Sequence, residues 1–230
     1  MRINVIIPVF NESDSIHRVL RDIPKDIGVE DVIVVNNGST DDTAFVAAEA
    51  GGTVIDEPFM GYGSACLKGL KFIAAKPVDK QPDIVVFLDG DYSDYPGEMA
   101  NLARPVHNGE FDLVIGSRAI GERQKGSMAP QQIFGNWLAT SLIKFFYDVE
   151  FTDLGPFRAI AYDKLLMLQM KDRDYGWTVE MQVKSAKQNL RCSEVPVSYR
   201  PRIGKSKITG TIKGTVLAGY KIITTIFKYR

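Results

Sequence analysis

The sequence contains no long apolar run, few cysteines and no excess of charge of either sign. A membrane-spanning helix needs about 18 consecutive apolar residues, and the chain has no such stretch. Its two cysteines, Cys66 and Cys192, lie far apart, which excludes a disulfide scaffold and indicates reduced thiols in a cytoplasmic protein. The 28 basic residues balance the 28 acidic ones, so no overall positive field favours nucleic acid as a partner.

The size and apolar content of the chain predict one α/β domain over residues 1–230. A chain of 230 residues, 45% of them hydrophobic, can bury a full core. In the first half, helix-like segments alternate with short apolar runs, which cover residues 3–9, 32–35, 53–55, 84–88 and 113–115. Repeated strand–helix units with short loops predict a doubly wound, mainly parallel sheet flanked by helices.

The second half of the chain departs from this alternation. Residues 119–130 are polar and have no period, which is typical of a loop. The pattern then predicts a long helix over 131–147, a turn over 153–158 and a strand over 195–199. A basic segment follows over residues 200–207.

The acidic motif Asp89-Gly90-Asp91 follows directly on the predicted strand over residues 84–88. Ligands of open α/β sheets bind at the carboxyl ends of the strands, so these two carboxylates are expected at a ligand-binding edge. Two acidic side chains on either side of a small residue can share a hard divalent cation. The motif therefore indicates a metal-bound phosphate, and the alternative is an acidic turn that caps the next helix.

Six short motifs occur in order along the chain, several of them directly after predicted strands. They are Pro8-Val9-Phe10-Asn11-Glu12, Asn36-Asn37-Gly38-Ser39-Thr40-Asp41, Asp89-Gly90-Asp91, Gly116-Ser117-Arg118, residues 153–158 and residues 202–207. In this order they resemble the family 2 glycosyltransferases, and the last three resemble the branch of the dolichyl- and polyprenyl-phosphate mannose synthases. Each motif is weak alone, but their order and their positions at strand ends carry the resemblance over nearly the whole chain.

The resemblance implies a GT-A fold and inverting transfer of a sugar from a nucleotide diphosphate sugar. A Mg²⁺ or Mn²⁺ ion would neutralise the charge that develops on the departing diphosphate. Asp91 is the expected direct ligand, while Asp89 binds the metal, the ribose or a metal-bound water. Family members place a third ligand two positions after the second aspartate, which is Ser93 here, but the adjacent Asp94 is more acidic. The third protein ligand is therefore left open between these two residues.

The resemblance also assigns residues to the nucleotide and its diphosphate. They are Pro8, Phe10, Asn11, Glu12, Asn37, Gly61, Asp89, Gly90, Arg118 and Lys207. Glu12 can accept hydrogen bonds from the ribose hydroxyls, although Asn11 and Glu12 also form an ordinary helix start. Family members carry an aspartate where this chain has Asn37, and an amide leaves the base open between uracil and guanine. The fragment Gly61-Tyr62-Gly63 could instead indicate dinucleotide binding, but a third glycine is absent.

Two acidic residues and one arginine are the remaining candidates for the chemistry. A hydroxyl acceptor would need Asp153 or Glu180 to take its proton, whereas a phosphate acceptor is already ionised and would need neither. The alternative roles are a turn or cap for Asp153 and compensation of a helix dipole for Glu180. The family match assigns Arg202 to a phosphate of the donor or the acceptor.

The C-terminal segment bears on the acceptor. Apolar residues recur at helical spacing within residues 212–230, with basic residues around them. This pattern is typical of an amphipathic helix in a membrane interface, and equally of a helix packed on the core or on a partner subunit of a homo-oligomer. We therefore divide the domain into a nucleotide-binding half (1–118), an acceptor-side half (119–210) and a C-terminal amphipathic helix (211–230).

The resemblance and the C-terminal helix together predict a metal-dependent hexosyltransferase. Its donor would be a UDP- or GDP-sugar, and its acceptor a polyprenyl phosphate or another lipid-linked molecule. We expect the protein to be cytoplasmic and peripheral at the inner face of a membrane, and not to bind nucleic acid. The alternatives are transfer to a soluble hydroxyl acceptor and a catalytically silent scaffold that binds nucleotides or is recruited to membranes.

Overall fold

A computed structural model describes residues 1–204 and 212–230. The strands are β1 (Ile3–Val9), β2 (Val29–Asn36), β3 (Thr53–Asp56), β4 (Ile84–Phe87), β5 (Leu113–Ser117), β6 (Arg158–Ala161) and β7 (Cys192–Pro196). The helices are α1 (Ile16–Asp22), α2 (Thr43–Glu49), α3 (Tyr62–Ala74), α4 (Met99–His107), α5 (Pro130–Tyr147), α6 (Tyr162–Leu168), α7 (Trp177–Lys187) and α8 (Ile212–Lys228). The seven strands form one sheet in the order β3-β2-β1-β4-β6-β5-β7.

Four neighbouring strands on one side of the sheet are parallel. They are β3, β2, β1 and β4. Strand β4 is buried at every position and β1 at all but one, as expected where helices cover both faces of a sheet. This confirms the predicted α/β class with a mainly parallel sheet.

The acceptor-side half contains the differences from the prediction. Helix α5 confirms the long helix predicted over 131–147, but the strand predicted over 195–199 lies earlier, at β7. Strand β6 was not predicted, because four residues that begin with an arginine carry no strand signal of their own. It runs antiparallel between β4 and β5, so distant partners determine its structure.

Apolar side chains cover both faces of the sheet. Successive residues of a strand point to opposite faces, and in β1 Ile6 packs against α3 and α7 while Val5 and Ile7 pack with α1 and α4. Burying one such side chain contributes about 1.5–3 kcal/mol. The rings of Phe87 at the end of β4 and Trp177 at the start of α7 meet edge to face, with centroids 5.8 Å apart. This contact fixes α7 next to the strand that carries the acidic motif.

Helix α8 packs on α5 and α7. Its Ile226 is fully buried, and its Phe227 ring lies 5.1 Å from the ring of Phe146 in α5. Val216 and Tyr220, nearer the start of α8, stay exposed. Across residues 1–204 and 212–230, no helix combines the length and apolar character needed to cross a bilayer.

Candidate active site

Strands β1, β2 and β4 end at one edge of the sheet, which we call the donor edge. Their parallel pairing, with Val9 opposite Asn36 and Ile6 opposite Phe87, brings the loops that follow them together. These loops and three further segments, at residues 60–62, 174–175 and 202, line a cavity of about 360 Å³. Its lining residues are Pro8, Val9, Phe10, Glu12, Asn37, Met60, Gly61, Tyr62, Asp89, Gly90, Asp91, Asp174, Tyr175 and Arg202.

Asp91 is held in one orientation by its own loop. The backbone N–H and the Oγ–H of Ser93 donate to Asp91 Oδ1 over 2.8 and 2.5 Å, and Arg202 Nη1 lies 3.3 Å from Asp91 Oδ2. Gly90 allows the loop to pass close to β1, since a Cβ atom there would lie 2.6 Å from Val9 Cγ1. Ser93 therefore orients Asp91. Direct binding of a metal ion by Asp91 or by Ser93 stays a prediction.

Asp89 and Asp94 carry buried carboxylate oxygens that have no hydrogen-bond partner within the described residues. These atoms are Asp89 Oδ1 and both Oδ atoms of Asp94. Burial, together with the charge of Asp91, raises the pKa of Asp89 to about 7. Burial and then the charge of Asp89 also raise the pKa of Asp94. Because an unpaired buried acceptor costs free energy, this edge favours a cation or a hydrogen-bond donor from a ligand.

The donor set at this edge fits a hard divalent cation. No group of three or more Asp, Glu, His and Cys side chains with metal-binding geometry occurs in residues 1–204 and 212–230. Mg²⁺, however, is usually held by one or two carboxylates together with phosphate oxygens and water. Asp89 and Asp91 supply the two carboxylates, so a phosphate-bearing ligand would complete the shell.

Arg202 connects two acidic residues of the cavity. Its Nη2 lies 2.5 Å from Glu12 Oε1, and its Nη1 faces Asp91. Ser15 Oγ lies 3.3 Å from Glu12 Oε2 and donates to the carbonyl of Gly90 over 2.8 Å. The predicted residues Glu12, Asp91 and Arg202 are therefore brought together at the donor edge.

Asn37 uses its amide to shape the cavity wall. Its Nδ2 donates to the carbonyls of Glu57 and Phe59 over 2.9 and 2.8 Å, and its Oδ1 accepts from the N–H of Gly61 over 2.8 Å. These bonds hold the segment before α3 against the cavity. A direct contact of Asn37 with the base stays a prediction.

Besides Arg118, which is described below, two predicted nucleotide-binding residues are not placed in the cavity. Asn11 has a left-handed backbone (φ 54°), is not among the lining residues, and its Oδ1 accepts from the N–H of Thr40 over 2.8 Å. It therefore connects the β1 and β2 loops instead of lining the nucleotide site. Lys207, the other one, lies outside the described residues.

Arg118 is paired with Asp153, and its predicted contact with a phosphate of the donor or the acceptor stays a prediction. The guanidinium binds the carboxylate with Nε–Oδ2 and Nη2–Oδ1 distances of 2.8 and 2.7 Å, and the Arg118 N–H donates to Oδ2 over 2.8 Å. Burial alone would raise the pKa of Asp153, but the charge and hydrogen bonds of Arg118 lower it. Arg118 also lies over the Tyr199 ring, 5.0 Å from its centroid.

Asp153 also lines a second cavity of about 420 Å³, which we call the acceptor-side cavity. It lies between α5, the loop that precedes it and the segment over residues 150–153. Its walls combine apolar side chains with two cations, and these residues are Met128, Ile133, Trp137, Phe151, Arg123 and Lys144. The sequence patterns did not identify this cavity, because α5 contributes to it only through side chains on one face.

Glu180 is fully buried, and protein groups occupy its carboxylate. It accepts from the N–H groups of Lys171 (3.0 Å) and Asp172 (2.6 Å) and from Tyr229 Oη (2.6 Å), and Lys184 Nζ lies 2.7 Å away. Burial alone would raise the pKa of Glu180, but the contacts with Lys184 and Tyr229 lower it. This placement gives Glu180 a structural role, and we do not assign it the predicted role of a base.

Five lining residues of the donor edge were not predicted as site residues. Val9 and Tyr62 lie next to predicted ones, whereas the other three lie outside every motif. Met60 precedes α3, and Asp174 and Tyr175 precede α7. Asp174 and Tyr175 lie more than 80 residues after the acidic motif in the sequence, and they belong to none of the six motifs. They directly precede Gly176 and Trp177, where α7 begins.

Comparisons with known proteins identify the family of the chain. Residues 4–171 match the sequence model of the family described as glycosyl transferase family 2. An uncharacterized glycosyltransferase of Mycobacterium tuberculosis is 34% identical over 219 residues, which cover 94% of each chain. The undecaprenyl-phosphate mannosyltransferase of Micrococcus luteus is 26% identical over 228 residues, which cover 93% of this chain and 90% of that protein.

A solved structure shares the fold. It is the glucosyl-3-phosphoglycerate synthase of Mycobacterium tuberculosis in complex with Mn²⁺, UDP-glucose and phosphoglyceric acid. Its TM-score is 0.74 at 22% sequence identity, and the match covers 99% of this chain and 79% of that one. This match confirms the predicted GT-A fold. With a family model that covers most of the sequence and a relative at 34% identity over nearly its whole length, the chain belongs to glycosyl transferase family 2.

Proposed function

We propose that the protein transfers a hexose from a nucleotide diphosphate sugar to a lipid-linked phosphate acceptor. The observation that carries this proposal is the cavity at the donor edge, where Asp89, Asp91, Glu12 and Arg202 meet. Solved structures of the same fold support a nucleotide donor, since one holds Mn²⁺ with UDP-glucose and another holds Mg²⁺ with UDP.

Each side chain at the donor edge has a task in this proposal. Asp91, oriented by Ser93, and Asp89 would hold a Mg²⁺ or Mn²⁺ ion, which when bound supplies charge neutralisation for the departing diphosphate. Arg202 can bind a phosphate through two N–H groups. Glu12 can accept hydrogen bonds from ribose hydroxyls.

The acceptor-side cavity supports a lipid-linked phosphate. Ile133, Trp137 and Phe151 offer apolar surface for a hydrocarbon chain, and Arg123 offers positive charge for its phosphate. Lys144 also lines the cavity, and a phosphate could displace its exposed 3.0 Å pair with Glu150.

A phosphate is ionised at neutral pH and needs no catalytic base. This agrees with the positions of Asp153 and Glu180, the two candidates for a base, whose carboxylates are already bound by protein groups. The Micrococcus luteus relative, named an undecaprenyl-phosphate mannosyltransferase, supports the same acceptor class.

A peripheral position at the cytoplasmic face of a membrane belongs to the same proposal. Phe134 and Trp137 on α5, and Val216 and Tyr220 on α8, leave about 60–70% of their surface exposed. Such helices can lie in the interface of a membrane with their apolar side chains among the lipids. The acceptor-side cavity opens next to α5, so a lipid could enter it from that surface.

A second candidate acceptor is a soluble phosphorylated hydroxy acid. The observation that favours it is the shared fold with a synthase whose structure contains phosphoglyceric acid. Arg123 and Lys144 could bind the phosphate or carboxylate of such a molecule. In that case a hydroxyl group attacks the sugar, and Asp153, which lines the acceptor-side cavity together with Glu150, is the candidate base that could take its proton.

One transfer assay separates the two acceptors. The protein is incubated with Mn²⁺ and radiolabelled UDP- or GDP-hexoses, in parallel with membrane lipid extract and with soluble phosphorylated hydroxy acids. We expect the label to enter the organic phase from one of the two donors. Label that moves only to a soluble acceptor selects the second candidate. Failure to transfer or release any sugar, with a folded protein, contradicts both.

A further inference from the structure

We infer that helix α8 positions one wall of the donor cavity by holding the loop over residues 171–176, which we call the wall loop. Asp174 and Tyr175 of this loop line the cavity. The inference rests on the proposed function only in treating that cavity as the nucleotide site. It makes Lys221 and Tyr229 of the C-terminal region positioning residues, although neither lines the cavity.

The first side of the wall loop is fixed to the start of α3. The N–H and Oγ of Ser64 donate to the carbonyl of Arg173 over 2.9 and 3.1 Å. Gly61 (φ 139°) and Gly63 allow this approach, because a Cβ atom would lie 2.1 Å from the Arg173 oxygen and 2.2 Å from the Asp172 oxygen, respectively. The two glycines that resembled a dinucleotide motif are therefore explained by contact with the wall loop.

The second side of the wall loop is held by Lys221 of α8. Its Nζ lies 3.0 Å from Oδ2 of Asp172, whose side chain is only 7% exposed. The other oxygen of Asp172 accepts from the N–H groups of Asp174 (2.8 Å) and Gly176 (3.1 Å). One carboxylate thus connects α8 to the backbone on both sides of Tyr175.

Tyr229, directly after α8, makes a second connection. Its hydroxyl donates to Glu180, and the same carboxylate accepts from the N–H groups of Lys171 and Asp172 at the start of the wall loop. Hydrogen bonds to a buried charged group are among the stronger ones in proteins. Glu180, once a candidate base, therefore acts as the junction between α8 and the wall loop.

Loosening these connections should change how Asp174 and Tyr175 are placed while leaving the acidic motif unchanged. The expected consequence is weaker nucleotide binding without a matching loss of turnover. A substitution that merely destabilised the fold would lower the concentration of active protein. It would reduce the apparent kcat and leave the donor KM unchanged, which is the opposite pattern.

The test uses the full chain with Lys221→Gln and Tyr229→Phe. Matched controls are Lys187→Gln, an exposed lysine of α7, and Tyr162→Phe in α6, whose hydroxyl has no hydrogen-bond partner in the described residues. Hydrogen exchange of the amides of residues 171–176 is measured without nucleotide. The Kd for UDP and GDP with Mn²⁺, and the donor KM and kcat, are then measured.

For both variants we expect faster exchange of these amides, a roughly two- to ten-fold higher Kd and donor KM, and a nearly unchanged kcat. The controls and Lys221→Arg should resemble the wild type.

The outcomes are distinguishable. Unchanged exchange in both variants would overturn the inference, as would faster exchange with an unchanged Kd. If exchange accelerates but the wild-type protein binds neither nucleotide, the proposed function fails while the connection between α8 and the wall loop stands.

Discussion

The carboxylates at the donor edge and those on the acceptor side of the sheet are satisfied in opposite ways. At the donor edge, Asp89 and Asp94 keep buried oxygens that lack partners in the described part of the chain. On the acceptor side, Arg118 binds Asp153 through two nitrogens, and Glu180 is occupied by Lys184, Tyr229 and backbone N–H groups. An unpaired buried acceptor costs about 1–3 kcal/mol. A cation or hydrogen-bond donor that binds at the donor edge would remove this cost.

This difference separates binding carboxylates from structural ones, which residue type alone does not do. Asp91, Asp153 and Glu180 were all candidates for the chemistry on sequence grounds. Asp91 lines the donor cavity beside Asp89, whose Oδ1 has no hydrogen-bond partner among the described residues. In contrast, Asp153 and Glu180 are each bound by a cation and by N–H groups of the protein. The predicted consequence is simple. Amide substitutions of Asp89 and Asp91, which line the donor cavity, should remove activity and spare stability, whereas the same substitutions of Asp153 and Glu180 should lower stability.

The largest expected effect is on activity, from Asp91→Asn. Losing the charge of the best-oriented carboxylate should lower sugar transfer by about a thousand-fold, the upper range for one electrostatic group. The thermal unfolding midpoint should stay close to that of the wild type. The matched control is Asp163→Asn, an exposed aspartate of α6, which should keep full activity. Full activity in Asp91→Asn would remove the acidic motif from the mechanism.

The largest expected effect on stability comes from Asp153→Asn. Breaking a buried ion pair leaves Arg118 without its charge partner, which should lower the free energy of unfolding by about 3–5 kcal/mol. Glu150→Gln is the control, since its 3.0 Å pair with Lys144 is exposed and should cost less than about 1 kcal/mol. Urea denaturation measures both. A stable but inactive Asp153→Asn would instead indicate a catalytic base.

A smaller effect, of opposite sign, is expected from Asp94→Asn. Its raised pKa means that the folded state disfavours the charged carboxylate that the unfolded chain carries at pH 7. Removing this penalty should raise the free energy of unfolding at pH 7 by about 1 kcal/mol. Below pH 4 the unfolded carboxyl is protonated as well, so the gain should vanish there. A loss of stability at pH 7 would show that Asp94 has a structural partner.

The smallest effect should come from Asp112, at the edge of β5. The hydrogen bonds and charge of Arg191 lower the pKa of this carboxyl. Its contribution is therefore present above the unfolded pKa of about 4 and is lost as the pH falls through the lowered pKa. Asp112→Asn should cost about 0.5 kcal/mol at pH 7 and nothing near pH 2. Equal costs at both pH values would contradict an ionic origin.

The parallel half of the fold and most of the donor edge could be predicted from the sequence. Strands such as β1 and β4 are buried runs that carry their own signal, and the residues after them necessarily meet at one edge. Strand β6 could not be predicted, because β4 and β5 provide its pairing partners. The roles of Arg118 and Glu180 depended on Asp153 and Tyr229, which lie 35 and 49 residues away in the chain.

Calorimetric titration of UDP and GDP into the protein, with and without Mn²⁺, tests the central claim most directly. We predict that the wild type binds one of these nucleotides and that binding depends on the metal. Asp91→Asn should lose this metal-dependent binding, while Asp163→Asn should keep it. Equal affinity with and without Mn²⁺, or undiminished metal-dependent binding by Asp91→Asn, would contradict the assignment of the donor edge as a metal and diphosphate site.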